Sequence, residues 1–265
     1  MVEQHYAEAG LVERVREALR RSGFDPDRMD QAELEKLDQF HVGGLEATDA
    51  LAKLAEIRTT DAVLDLGSGV GGPSRHLAAS IGCHVTGIDL TEEYCRVAKL
   101  MAEATGLSHL VRYEKGDATK TPFEDASFDV VWTQHAAMNI EDKAGLYREA
   151  FRVLKKGGRL AIHDVVAGEG EVTYPVPWAR VPEISFLVTE EEMSRILLAV
   201  GFKRVIAEDV SSEGLLALRQ MAGKMPSQGF GLGTLMGPEF PGMVKNLIGN
   251  LDQGTCRVVH AVYAK

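Results

Sequence analysis

VLDLGSGVGG, residues 63–72, is the stretch that decides the fold of this chain. Four residues suited to a buried strand run into glycines at the spacing Gly-x-Gly-x-x-Gly, formed by Gly67, Gly69 and Gly72. Glycines at the carboxyl end of a strand permit a tight turn and let a ligand approach the backbone, and the N–H groups that begin the next helix favour an anionic group. The stretch predicts a strand, a ligand-binding turn and a helix; a glycine-rich turn that binds nothing is the alternative.

Outward from this stretch, short apolar runs alternate with helical stretches, a pattern typical of a parallel sheet covered by helices on both faces. Each helical stretch is long enough for a right-handed crossover between parallel strands. We expect strands at Ala62–Leu66, His84–Ile88, Val111–Lys115, Val130–Gln134 and Arg159–Val165, and helices at Gly72–Ser80, Glu92–Thr105 and Lys143–Leu154. Two further strands, Lys203–Val210 and Arg257–Tyr263, are predicted to pair as an antiparallel hairpin with a long insertion.

These elements predict an α/β, Rossmann-like fold with a seven-stranded, mostly parallel sheet, an antiparallel last strand, helices on both faces and an N-terminal helical cap. We expect a single domain over residues 1–265, with the cap at 1–60, a cofactor-binding core at 61–166 and substrate lid segments at 167–190 and 211–254. Cap helices are predicted at Leu11–Arg21, between Gly23 and Gly43, and at Leu45–Ile57. The glycine- and proline-rich run Gly223–Gly242 is predicted to be a lid or binding loop.

The charge and composition argue against several classes of partner. The net charge of −10 is spread along predicted helices, without the basic stripe that a nucleic-acid partner would require. The first residues lack the features of a leader, and no apolar run approaches the roughly 20 residues of a membrane span, so a cytoplasmic protein is expected. The three cysteines show no C-x-x-C spacing, and no cluster of His, Asp or Glu shows ligand spacing, so no metal site is predicted.

A second ligand signal is Asp89, at the end of the second predicted strand. It follows the glycine stretch near the spacing of roughly 20 residues at which an acid meets the hydroxyls of a ribose. A carboxylate accepts both hydroxyl protons, so an adenosyl ligand is predicted, and a nicotinamide cofactor satisfies the pattern equally well. Capping of the helix that begins near Thr91 is the structural alternative for this acid.

Over residues 40–165 the sequence resembles the class I S-adenosylmethionine-dependent methyltransferases. Gly116-Asp117-Ala118 follows the third strand where that family holds the adenine, Phe128-Asp129-Val130-Val131-Trp132 opens the fourth strand as that family does, and Leu154–Leu160 is similar to its turn into the fifth. The tyrosine–lysine pair (Tyr-x-x-x-Lys) of short-chain nicotinamide enzymes does not occur. The resemblance implies S-adenosyl-L-methionine as cofactor. It assigns as cofactor-binding residues Phe40, His41, Asp65, Gly67, Ser68, Gly69, Asp89, Leu90, Asp117, Ala118 and Gln134.

The segment Phe40–Thr48 narrows the resemblance. It is similar to phosphoethanolamine and glycine/sarcosine/dimethylglycine N-methyltransferases, and also to the tocopherol and quinone C-methyltransferase branch. The resemblance implies that the loop before Gly43-Gly44 folds over the cofactor, with Phe40 and His41 at its methionine end; an ordinary interhelical turn is the alternative. A small-molecule amine nitrogen is the first choice of methyl acceptor. C- or O-methylation of a quinone, phenol or specialised metabolite remains open.

His135 is the leading catalytic candidate, because it follows the fourth strand, whose carboxyl end borders the ligand crevice. A histidine titrates near neutral pH and can accept a proton from an ammonium or a phenol, or simply orient the nucleophile. His163 and Asp164 end the fifth strand on the same rim and are second choices. Phosphoethanolamine enzymes carry an acid in place of His135 and a histidine in place of Asn139, which argues against that substrate.

The lid segments supply the remaining candidates. Tyr174, Trp178 and Phe186 could form an aromatic wall around a cationic or planar substrate, or simply pack in the core. The apolar run Gly223–Gly242 suits a hydrophobic substrate, whereas dimethylglycine would require a cation such as Arg180. A homodimer formed through the lids is possible. A cofactor-binding regulatory protein without chemistry and an NAD-dependent dehydrogenase are the alternatives of other classes.

Overall fold

The computed structural model describes residues 10–35, 37–223 and 231–265. Its sheet confirms the predicted fold class. Seven strands lie in the order β3-β2-β1-β4-β5-β7-β6; β1 to β5 run parallel, and β7 pairs antiparallel with both β5 and β6. The strands are β1 Ala62–Leu66, β2 His84–Asp89, β3 Val111–Lys115, β4 Phe128–Gln134, β5 Leu154–Ala167, β6 Lys203–Asp209 and β7 Cys256–Ala264.

Helices cover both faces of this sheet, and the three predicted crossover helices are present. In chain order the helices are α1 Leu11–Arg21, α2 Gln31–Leu34, α3 Gly44–Leu54, α4 Gly72–Ile81, α5 Glu92–Ala104, α6 Lys143–Val153, α7 Glu190–Val200, α8 Ser211–Ala222, α9 Leu232–Met236 and α10 Phe240–Gln253. Thr189 caps α7, because its side chain accepts a hydrogen bond from the backbone N–H of Glu192.

The cap helix predicted between Gly23 and Gly43 is present as the four-residue α2. Before it, the Asp25 carboxylate accepts from the N–H of Asp27 (3.0 Å) and forms a turn. The described part of the lid run Gly223–Gly242 contains α9 and the start of α10. Pro241 is tolerated because it lies in the first turn of α10. Met225 and Phe230 of that run lie outside the described residues.

The core lies on both sides of the sheet. Along β1 the side chains alternate, so that Leu64 and Leu66 pack in one apolar cluster while Val63 packs in the other, beside the fully buried Trp132. The same alternation continues across β4, β5 and β7. On the face that carries Val63 and Trp132, the register partners Gln134, His163 and His260 lie side by side at the carboxyl ends of β4 and β5. The sheet thus delivers polar side chains to one edge above an apolar interior.

A buried ion pair attaches the N-terminal segment to this core. Asp38 and Arg75 are both fully buried and paired, and Arg75 Nη1 also donates to the Val70 carbonyl at 2.7 Å. A Cβ atom at Gly72 would overlap the Asp38 backbone, so the glycine permits this contact. The pair therefore fixes the segment before α3 against the start of α4.

We predict that Asp38→Ala lowers the free energy of unfolding by about 3–5 kcal/mol, because it leaves the Arg75 guanidinium buried without its counter-ion. Asp27→Ala is the matched control. Asp27 is exposed and pairs with Arg16, so its loss should lower the free energy of unfolding by less than about 1 kcal/mol. Urea denaturation of both variants followed by circular dichroism measures the difference. Equal losses in the two variants would contradict the structural role of the buried pair.

Candidate functional site

A cavity of about 620 Å³ opens at the carboxyl ends of β1, β2 and β4. The structure brings the cofactor-binding candidates and the leading catalytic candidate to its wall: Phe40, His41, Asp65, Gly67, Ser68, Gly69, Asp89, Leu90, Asp117, Ala118, Gln134 and His135. We call the part lined by the loop after β1, Asp89 and Asp117 the glycine-loop half. The part lined by the lid side chains is the apolar half.

The glycine loop is held close to its neighbours. Gly67 has a φ of 81° and its N–H donates to the Ile88 carbonyl at 2.8 Å. A Cβ on Gly67 would overlap the side chain of Ala136, so only glycine lets the loop approach the segment after β4. A Cβ on Gly69, in contrast, would meet nothing within 4 Å. The loop backbone at Gly69 is therefore exposed to the cavity.

Three acids line the glycine-loop half. Asp89 accepts from the N–H groups of Gly69 (2.9 Å) and Thr91 (2.8 Å), so it joins the glycine loop to the residue before α5. Among the described residues no side chain caps the start of α5, so the structure does not bear out the capping alternative for Asp89. Burial raises the pKa of Asp89, and it raises that of Asp65, which accepts from Ser74 Oγ at 2.5 Å, to about 7. The third acid, Asp117, is exposed and accepts from the Thr119 N–H at 2.8 Å.

The segment Phe40–Val42 lines one side of the cavity, and hydrogen bonds attach it to the structure around it. A ring nitrogen of His41, Nε2, lies 2.7 Å from the Gly44 carbonyl. On β4, the Gln134 amide donates to Thr48 Oγ at 3.2 Å, which links the sheet to α3. On β5, His163 Nε2 lies 2.8 Å from the Val42 carbonyl. These bonds fix the segment against the ends of β4 and β5.

His135 lines the cavity through an unusual backbone conformation. Its φ of 52° is in the left-handed region, which is uncommon for a residue other than glycine and often marks a functional site. Its backbone N–H donates to the His163 carbonyl at 2.7 Å. Burial, with smaller contributions from His41 and His260, holds the pKa of His135 well below its usual value. The expectation that it titrates near neutral pH is therefore wrong: at pH 7 it is a neutral imidazole.

The second-choice candidates do not line the cavity. His163 and Asp164 are both buried beneath it. Asp164 accepts from the Met138 N–H at 3.1 Å, and burial raises its pKa to about 7. Nearby Lys143, which the sequence did not single out, donates to the carbonyls of Ala137 (2.7 Å) and Phe186 (2.6 Å). Lys143 therefore ties the segment after β4 to the lid.

Apolar side chains dominate the other half of the cavity. They come from the segment after β4, the lid and α8 to α10: Met138, Trp178, Ile184, Phe186, Leu218, Met221, Met236, Phe240, Val244 and Leu247. The predicted aromatic wall thus includes Trp178 and Phe186 but not Tyr174. The residues from α10 escaped the sequence analysis, although the spacing of Phe240, Val244 and Leu247 fits one face of a helix.

The charge of the cavity wall is one-sided. Among the described residues that line it are five acids, Asp38, Asp65, Asp89, Asp117 and Glu141, and no lysine or arginine. Arg180, the cation that a carboxylate substrate would require, lies outside this wall and pairs with Glu239 at the surface. The cavity therefore provides no fixed side-chain cation, within the described ranges, for an anionic group.

Within residues 10–35, 37–223 and 231–265, no group of three or more His, Cys, Asp or Glu side chains could hold a metal ion. No helix in the described part of the chain combines the length and the apolar character needed to cross a bilayer.

Comparison with known families identifies the central part of the chain. Residues 64–162 match the model of a family described as a methyltransferase domain. A phosphoethanolamine N-methyltransferase of Triticum aestivum is 31% identical over 179 residues, which are 67% of this chain and 35% of that protein. The 27-O-demethylrifamycin SV methyltransferase of Amycolatopsis mediterranei is 34% identical over 168 residues, 62% of each chain.

A solved structure shares the fold over most of the chain. Haemonchus contortus phosphoethanolamine N-methyltransferase 2, in complex with phosphomonomethylethanolamine and S-adenosylhomocysteine, superposes with a TM-score of 0.72 at 21% identity. The match covers 95% of this chain and 60% of that one. The chain thus spans less than two thirds of the length of each of these three proteins.

The buried histidines beneath the cavity predict acid sensitivity. Burial lowers the pKa of His260 from 6.5 to about 4, so between these values the unfolded chain binds a proton that the folded protein does not. The contribution of His260 to stability is full above pH 6.5 and is lost as the pH falls toward 4. His260→Phe should flatten the rise of the unfolding free energy with pH in this window by about 1.4 kcal/mol per pH unit.

Urea denaturation at pH values from 4 to 7 measures this slope, with His109→Phe, a substitution at an exposed histidine, as the control. An unchanged slope in His260→Phe would show that His260 titrates in the folded protein as it does in the unfolded chain.

Proposed function

Because this chain belongs to the class I S-adenosylmethionine-dependent methyltransferases, we propose that it binds this cofactor in the glycine-loop half and transfers the methyl group to a largely apolar small molecule in the apolar half. The observation that carries the proposal is that the residues of both halves and His135 line one continuous cavity. A Rossmann-like sheet alone would not distinguish this activity from others.

The residues of the glycine-loop half fit such a cofactor. The exposed backbone at Gly69 and the N–H groups near the start of α4 suit the carboxylate end of an amino acid, and the acid Asp89 suits the two hydroxyls of a ribose. Asp117 would supply a hydrogen-bond acceptor to the adenine, and the backbone of Ala118 would supply an amide. The exposed Leu90 side chain offers an apolar surface beside them.

The apolar half supports the class of methyl acceptor. A phosphate or carboxylate group is normally bound by arginine, lysine or clustered N–H groups. The described wall has no such cation and carries five acids, which disfavours phosphoethanolamine and dimethylglycine as acceptors. An uncharged or cationic molecule with a large apolar surface fits better, and the name of the Amycolatopsis relative, a 27-O-demethylrifamycin SV methyltransferase, supports this choice. The acceptor atom, for which the sequence favoured an amine nitrogen, remains a prediction.

The chemistry required of the protein is modest. When bound, the cofactor supplies a methyl group already activated on a sulfonium, so in-line displacement depends chiefly on positioning and on exclusion of water. Trp178, Phe186 and the α10 side chains would exclude water and orient the acceptor. His135, as a neutral imidazole, would accept the proton of an O–H or N–H nucleophile.

The cofactor assignment predicts that Asp89→Asn weakens binding of S-adenosylmethionine at least about tenfold, since a carboxylate that accepts two hydroxyl protons is replaced. Isothermal titration calorimetry measures the Kd. Asp125→Asn, at an exposed acid paired with Arg152, is the matched control and should bind normally. Equal affinities in the two variants would refute the role of Asp89, and absence of binding to the wild-type chain would refute the cofactor.

The acceptor assignment predicts formation of S-adenosylhomocysteine with apolar phenols, quinols, polyketides or apolar amines, and little or none with phosphoethanolamine or dimethylglycine. With an active acceptor, His135→Phe should lower kcat by about 10²–10⁴-fold while the cofactor Kd stays nearly constant. Mass spectrometry of the product identifies the acceptor atom. Preferred turnover of an anionic acceptor would contradict the proposal, and cofactor binding without any turnover would favour a regulatory protein.

A further inference from the structure

Four histidines form one cluster beneath the cavity: His41, His135, His163 and His260. The ring centroids of His135 and His163 are 4.9 Å apart, those of His163 and His260 are 4.5 Å apart, and His41 lies 5.7 Å from His163. His163 and His260 are register partners on β5 and β7, so their side chains lie on the same face of the sheet. His163 is therefore at the centre of the cluster.

The hydrogen bond of His163 to the backbone determines its tautomer. Its Nε2 lies 2.8 Å from the Val42 carbonyl oxygen, which can only accept. Nε2 therefore carries the proton, and Nδ1 of the neutral ring has a free lone pair. This Nδ1 is buried and has no hydrogen-bond partner among the described residues. A buried acceptor of this kind is normally satisfied by a donor or by an ordered water.

His135 is brought to this acceptor by its unusual backbone. Gln134 is the register partner of His163 and shares its face, so a regular strand would direct His135 to the opposite face. The left-handed φ of 52° breaks that alternation, and the two rings pack together. The Nε2 of His135 is also buried, and it too lacks a partner within the described part of the chain.

We propose that His135 donates its Nε2–H to Nδ1 of His163 through one ordered water, and that Nδ1 of His135 thereby keeps the lone pair that receives the proton of the methyl acceptor. His163 is then a positioning residue that holds the tautomer and orientation of His135. The inference rests on the proposed function, because it assigns His135 the role of base. The order of groups is acceptor, His135, His163 and the Val42 carbonyl.

His260 is the competing donor to His163, since its Nε2 is another buried nitrogen without a partner among the described residues. Two observations favour His135. Its backbone N–H donates to the His163 carbonyl at 2.7 Å, which holds the two residues together. His135 also lines the cavity, which His260 does not, so only a bond from His135 connects His163 to the site.

The proton transfer balances with methyl transfer. For an O–H or N–H acceptor, the bond from carbon to sulfur breaks and its electron pair stays on sulfur, while the nucleophile forms the new bond to carbon. The proton lost by the nucleophile goes to Nδ1 of His135 and then to solvent. The titratable groups that act on the cluster electrostatically are its own four rings, His76 near His41, and Glu213 near His260.

The test is NMR of the full chain labelled with nitrogen-15 in its histidines, recorded at neutral pH without any methyl acceptor. A buried, hydrogen-bonded ring N–H exchanges slowly enough to be observed, whereas a free ring N–H does not. We expect an observable Nε2–H on His135 with an unprotonated Nδ1. A protonated Nδ1 and a bare Nε2 on His135 would overturn the proposal.

Three variants locate the partner. His163→Leu should abolish the Nε2–H signal of His135, and His163→Gln should retain it, because the amide can donate to Val42 and offer an oxygen in place of Nδ1. His260→Phe, the matched control, should also retain it. Loss of the signal in His260→Phe, or its persistence in His163→Leu, would overturn the assignment. Circular dichroism establishes that each variant is folded; if His163→Leu is not, the wild-type tautomer and the His260→Phe signal still decide.

Kinetics provide the second measurement. With any active methyl acceptor, His163→Leu should lower kcat about tenfold or more at unchanged cofactor Kd, and His163→Gln should recover most of the rate. Equal kcat in the wild type and His163→Leu would contradict the positioning role. Failure of the proposed function is distinguishable, because it would appear as absent turnover in the wild-type chain, while the ring protonation measured by NMR does not depend on turnover.

Discussion

The contact between Gly67 and Ala136 is the constraint on which the rest of the site depends. Because Gly67 has no side chain, the loop after β1 packs directly on the segment after β4. Parallel strands place both segments at the same edge of the sheet, and both line the same cavity. Any larger residue at Gly67 would separate the glycine loop from His135, and with it a bound ligand from the base.

Two buried groups then fix the segment after β4 from opposite sides. Lys143 binds carbonyls of this segment and of the lid at Phe186, while the backbone N–H of His135 is bound to His163. A buried ammonium with several carbonyl partners is strongly localised, because loss of any partner leaves a charge uncompensated at low dielectric. The wall of the apolar half is therefore coupled to the base, and a movement of the lid would change the position of His135.

Local signals in the sequence predicted the sheet and the glycine-loop half. Residue type and spacing predict the β1 strand, the glycine loop and Asp89. Right-handed crossovers then constrain the strand order. The roles of Lys143 and His163 could not be predicted, since each depends on carbonyls from segments that are distant in the chain. The α10 helix was missed for a different reason: Pro241 and three glycines obscured an apolar face that only packing reveals.

Desolvation is what connects these features to chemistry. Burial keeps His135 and its neighbours neutral by lowering their pKa values. The lower pKa also makes His135 a weaker base than a histidine in water. Such a base acts only on a nucleophile whose proton becomes acidic as the new bond forms, which is the case when an O–H or N–H attacks an activated methyl group. The position of His135 then matters more for the reaction rate than its basicity does. A fixed tautomer therefore raises the rate more than a higher pKa would. The neutral histidine cluster and the apolar side chains of the cavity are therefore suited to the same kind of reaction.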